Sequence, residues 1–118
     1  MIATNNILTG NDATLDAYDS MNKTYDCLRQ NSNNHKLASE YVTLTIDTFN
    51  LAIECYKCAI EIFKRYNNNI IICTELNNKI KELNNIINHV MYVFSEAIKQ
   101  ITTVEMQSFT IPCTSDNS

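Results

Sequence analysis

The chain holds one glycine, Gly10, one proline, Pro112, and no tryptophan in 118 residues. A single glycine excludes the loops that cradle phosphate in nucleotide-binding folds, which need two or three. It also excludes the nucleophile elbow, which needs glycine on both sides of a serine. The tight turns of β-hairpins are missing for the same reason, so a strand-rich fold would have no connections. Positive charge is scarce as well: nine Lys and Arg stand against thirteen Asp and Glu, a net charge of -4, and no basic run is longer than Lys64-Arg65. A surface that tracks phosphates concentrates positive charge, so nucleic acid is not an expected partner. No stretch approaches the ~18 consecutive apolar residues of a membrane span, and Met1 to Gly10 has neither the basic residue nor the apolar run of a signal peptide.

What remains is the composition of one helical domain, residues 1–118, with 1–11 and 109–118 expected as flexible ends. A chain of this length buries roughly 65% of its unfolded surface. Five cysteines, an odd number in a chain able to form its own core, read as free thiols rather than a disulfide framework. The expected location is the cytoplasm, or the host cytoplasm for a viral or effector protein.

Three amphipathic segments follow from the spacing of apolar residues. Asn11 or Asp12 offers an N-cap, and Thr14, Tyr18, Met21, Tyr25 and Leu28 recur at alternating four and three spacing, which predicts a helix from about Asp12 to Gln30. The polar run Asn31-Ser32-Asn33-Asn34 marks a loop. A second helix, about His35 to Tyr66, carries one apolar stripe through Ala38, Val42, Thr45, Phe49, Ala52, Tyr56, Ala59 and Phe63. Another runs through Leu37, Tyr41, Leu44, Leu51, Cys55, Cys58 and Ile62. A helix apolar over that much of its circumference is central in a bundle or shared with a partner. After the turn Asn67-Asn68-Asn69, a heptad pattern runs from Cys73 through Leu76, Leu83, Val90 and Ala97 to Val104. It predicts a third helix from about Ile70 to Ser108, ended by Pro112 and a polar tail, Cys113 to Ser118.

The fold class expected is therefore all-α, an antiparallel bundle of three long helices, or four if the last one breaks near Asn84-His89. The heptad register passes through that asparagine cluster unchanged, which favours the unbroken helix. At 1.5 Å per residue the three helices span about 28, 48 and 60 Å. Folded about their loops, the first covers the second only up to about residue 54. The end near Asn67 is then left without a third helix. Ile60, Phe63, Ile71, Ile72 and Leu76 lie there, and they are the expected partner-binding residues, covered by a second copy or by another protein.

Residues with chemical potential are few. Cys55 and Cys58 have the C-x-x-C spacing of a redox or metal pair, on one helix face but in mid-helix. With Cys73 they resemble Cys-rich copper-storing bundles, a resemblance that implies Cys-based metal binding. The repeated cysteines of those bundles are absent. Arg29 and His35 match an Arg-x(4-6)-His spacing, and in that feature and its small helical bundle the chain resembles the HEPN ribonucleases. The resemblance implies His35 as general base on a ribose 2′-hydroxyl and Arg29 as stabiliser of the phosphate, across a dimer. It covers Arg29 to His35 alone. The segment from His35 to Ser39 is similar to the phosphorylated motif of histidine phosphotransfer bundles, without the glycine of that motif. Glu54, Glu61, Glu75 and Glu82 could suggest a di-metal bundle, but no Glu-x-x-His occurs. The reading adopted assigns no catalytic residue, no metal ligand and no cofactor. It expects a non-enzymatic protein–protein interaction module, a small adaptor, chaperone, immunity or antagonist-type protein, working through an apolar helix surface and self-association.

Overall fold

A computed structural model describes the backbone of residues 2–30, 35–67 and 69–117, and the side chains of 2–30, 35–66 and 69–100. Helix α1 spans Ile2–Arg29 and α2 spans His35–Ile62, running on as a π-helical turn over Phe63–Asn67; α3 spans Ile70–Asn117. Among the described residues there is no strand. The expected Asn31–Asn34 loop lies outside the described residues. The fold is an elongated all-α bundle, 76 × 18 × 15 Å.

The start of α3 is set by Asn69. Its side-chain Oδ1 accepts the Ile72 N–H at 3.2 Å and its carbonyl accepts the Cys73 N–H at 3.1 Å, the arrangement of an N-cap. From there α3 is unbroken through Asn84-Asn85 and Asn88-His89, so the heptad register and not the asparagine cluster decides its course. The expected stop before Pro112 is corrected: the backbone stays helical to Asn117. The helical run passes through Pro112, although a proline in a helix interior removes one N–H donor and crowds the carbonyl of the preceding turn.

Helix α1 departs furthest from the expected boundaries. It begins at Ile2, ten residues before Asp12, so residues 2–11 are helical and not a flexible end. Its buried face is made of small residues: Ala3, Gly10, Ala13, Thr14, Ala17, Ser20, Thr24 and Cys27. The larger residues expected in the core, Tyr18, Met21, Tyr25 and Leu28, are half-buried along its flank. The physical reason is close approach. A row of small side chains lets α1 lie against the large residues of α2, while its own large residues wrap the sides. The buried hydroxyls do not oppose this, because Thr14 and Thr24 each donate to the carbonyl four residues back, at 2.8 and 3.0 Å. Thr45 on α2 does the same at 2.7 Å.

Tyr56 marks the closest approach. Its ring is fully buried on the bare backbone of Gly10, where an added Cβ would lie 2.7 Å from Tyr56 Cε1. The Tyr56 hydroxyl donates to Asn11 Oδ1 at 2.6 Å and lies 3.3 Å from Thr14 Oγ1. Asn11 is thus a tertiary acceptor rather than the N-cap its position suggests. Further along the same antiparallel pair, the Tyr18 ring meets Phe49 edge-on at 5.4 Å.

Because α1 starts at Ile2, the end of the bundle near Asn67 is not open. Ala3 and Ile7 join the same apolar cluster as Ala59, Ile60, Phe63, Cys73 and Leu76. Burying a side chain of the size of Phe63 or Leu76 contributes about 1.5–3 kcal/mol, so this closure supplies a large share of a small domain's stability.

Gly10→Ala tests the contact. Alanine gains about 1 kcal/mol in helix propensity, whereas overpacking a rigid site costs about 1–3 kcal/mol. The expected result in urea unfolding is a net loss of up to about 2 kcal/mol. Thr9→Ala, on the exposed face one residue away, is expected to be neutral or stabilising. A more stable Gly10→Ala would mean that the Tyr56 ring yields freely.

Candidate functional site

The five residues expected to bind a partner are divided by the fold. Ile60, Phe63 and Leu76 are buried in the chain's own core. Ile72 is half-buried against the same cluster. Ile71 stands 72% exposed beside an equally bare Ile70. The expectation that this end lacks a third helix is corrected by the first turns of α1, and the three buried residues have no surface to offer in this fold.

Exposed large apolar residues are found on all three helices, among them Leu8 and Leu15 on α1 and Met91 and Tyr92 on α3, and those of α2 fall in register along its outer side. Leu37, Leu44 and Leu51 are 42%, 50% and 53% exposed. They recur every seven residues, which places them in one stripe about 21 Å long. Cys58, also exposed, extends the stripe at the same spacing, with Cys55 half-buried beside it. These residues belong to the second apolar stripe of α2. The first stripe faces α1 and α3, and a bundle of three helices has nothing left to cover the second. Leu44, Thr48 and Leu51 form one wall of an open groove of about 460 Å³, and Asp16, Asp19, Ser20 and Lys23 of α1 form the other. The Thr48 hydroxyl is engaged by the Leu44 carbonyl at 2.7 Å. The groove's α2 wall is therefore apolar and its α1 wall is acidic, with Lys23 held by Asp19 at 3.2 Å.

The opposite edge of the stripe is acidic too. Glu40, Asp47, Glu54 and Glu61 sit three residues after Leu37, Leu44, Leu51 and Cys58, and all four are exposed. Spacing of three puts each carboxylate beside its stripe residue on the helix surface. Lys57 lies 3.6 Å from Glu54.

The residues with chemical potential are scattered over the three helices. Arg29 is ion-paired with Asp26 at the end of α1. His35 opens α2 and, with Lys36 and Ser39, borders a second shallow groove floored by Phe94 and Ile98 of α3. His89 is exposed on α3, as are Glu75 and Glu82; Glu54 and Glu61 are exposed on α2. The described cysteines are free thiols, Cys27 and Cys73 buried in the bundle. Burial, with the nearby Cys58 and Glu54, pushes the Cys55 thiol up from its ordinary value of 9.0, away from an activated thiolate. Burial, with Glu82 adding to it, also raises Tyr18 above 10.0. No group of three or more His, Cys, Asp or Glu positioned to hold a metal ion occurs among the described residues. Nor is any helix among them long and apolar enough to cross a membrane. Comparison with protein-family models, curated proteins and solved structures gives no match to this chain.

The two apolar surfaces are told apart by stability. Phe63→Asp buries a carboxylate in the closed end and is expected to cost about 3–5 kcal/mol. Leu44→Asp, on the exposed stripe, is expected to cost about 1 kcal/mol or less. Thermal melts followed by circular dichroism decide it, and equal losses would place Leu44 in the core.

Proposed function

We propose that this protein is a non-enzymatic protein–protein interaction module, a small cytoplasmic adaptor, chaperone, immunity or antagonist-type protein, that works through an apolar helix surface and self-association. The observation that carries the reading is the exposed Leu37, Leu44 and Leu51 stripe. Contiguous apolar surface with a polar rim is the form that helix-in-groove docking uses, with anchors repeating at helical spacing. Of the five residues first expected to receive the partner, Ile71 is exposed and Ile72 partly buried, so the reading rests on the α2 stripe instead.

Self-association is supported by the length of α3. The groove at the start of α2 puts His35 and Lys36 level with Phe94 and Ile98. Beyond that level α3 continues to Asn117, about 19 residues or about 28 Å. The other two α-helices have 28 residues each, against 48 in α3. The heptad positions continue into it as Ile101 and Val104. A second copy of α3 would pair those heptad positions with their own equivalents.

Light scattering during size-exclusion, over a range of concentrations, is expected to give twice the 13.5 kDa chain mass or more. A chain ended after residue 100 is expected to run at the mass of one chain. If the full chain stays monomeric throughout, self-association is removed from the function.

A further inference from the structure

We propose that the Leu37, Leu44 and Leu51 stripe receives one amphipathic helix of another protein whose apolar face is flanked on both sides by lysine or arginine, and not a second copy of this chain. The inference rests on the interaction-module reading and names the partner's chemistry.

The occupant follows from the charge that borders the stripe. Along one edge run Glu40, Asp47 and Glu54, each three residues beyond a stripe leucine. Along the other, across the groove, stand Asp16 and Asp19. Two of the cations near this surface are paired, Lys23 with Asp19 and Lys57 with Glu54, while Lys36 stands exposed beside Leu37 at the start of the stripe. Asp16, Glu40 and Asp47 form no ion pair among the described residues. The apolar strip therefore lies between two acidic rails.

A second copy fits these rails poorly in either orientation. Laid antiparallel, stripe on stripe, it sets the Glu40, Asp47 and Glu54 row against its own equivalent, and Asp16 and Asp19 against theirs. Laid parallel, it sets the carboxylates of α2 against those of α1. Both arrangements bring like charges together as the interface loses water, which is the device by which interfaces reject wrong partners. A helix with apolar residues at i, i+3 or i+4, and i+7, and basic residues on both flanks, satisfies the leucines and both rails at once. Three leucines spaced over about 21 Å call for a helix of about four turns.

The test uses the full chain and two fluorescent helical peptides of one apolar pattern, one flanked by Lys and Arg and the other by Glu. Anisotropy titration is expected to show saturable binding of the basic peptide. Its affinity should exceed that of the Glu-flanked peptide at least about tenfold and weaken as salt rises from about 0.05 to about 0.5 M. Leu44→Ser with Leu51→Ser should abolish binding, with helicity retained by circular dichroism. Glu40→Lys with Asp47→Lys should lower affinity for the basic peptide and raise it for the acidic one, a reversal that loss of folding cannot produce. Equal binding of both peptides, or binding indifferent to the charge reversal, would overturn the proposal while leaving an interaction module in place. So would conversion of a dimer to a monomer by the Leu44 and Leu51 changes, which would make the stripe the self-interface. Binding of neither peptide by a chain that is also monomeric would remove both the proposal and the reading beneath it.

Discussion

The ring of Tyr56 rests on the backbone of Gly10, and the rest of the bundle is arranged around that contact. It lies eight residues into α1 and fixes how closely α1 approaches α2 and in what register. Glycine in mid-helix costs about 0.5–1 kcal/mol relative to alanine. Here the missing Cβ is replaced by an aromatic ring with 0% exposure, whose hydroxyl reaches Asn11 and lies beside Thr14. With that register set, Ala3 and Ile7 arrive over Ile60, Phe63 and Leu76, and the end of the bundle is closed by the chain itself.

Closing one apolar surface is what defines the other. Helix α2 carries two stripes, and α1 and α3 together cover one of them. The remaining leucines face outward between rows of carboxylates. A stripe of that kind adds less to the stability of a lone chain than a buried one, and its acidic borders discourage pairing with itself. The proposed division of labour follows: the shoulder of α2 takes a foreign helix, and the stretch of α3 beyond α2 joins copies of the chain. The two surfaces lie on different elements, so each can change without the other.

Much of the architecture can be read from the sequence. The absence of turn-forming glycines excludes strands, the two stripes of α2 place it centrally, and an uninterrupted heptad register carries α3 through Asn84-His89. The start of α1 escapes because periodicity arguments count large apolar residues. The face α1 buries is Ala3, Gly10, Ala13, Thr14 and Ala17, and threonine and glycine register as polar or helix-breaking in such a count. Thr14 is apolar in effect, since its hydroxyl is satisfied by its own helix. Asn11 looks like a cap because its tertiary partner, Tyr56, is 45 residues away. The misplaced partner surface follows from that one boundary: with ten residues missing from α1, Phe63 and Leu76 look bare, and the second stripe of α2 reads equally as buried in the bundle or shared with a partner. Their exposure becomes visible only when three helices are set in register.

Amide hydrogen exchange across α1, read residue by residue, tests this account most directly. If the contact at Gly10 holds the first turns of α1 on the bundle, the amides from Ile7 to Ala13 will be protected to within about tenfold of those from Ala52 to Ala59. Exchange of Ile7 to Ala13 at the rate of an unstructured chain, with Ala52 to Ala59 still protected, would contradict it and return the end of the bundle to the open state.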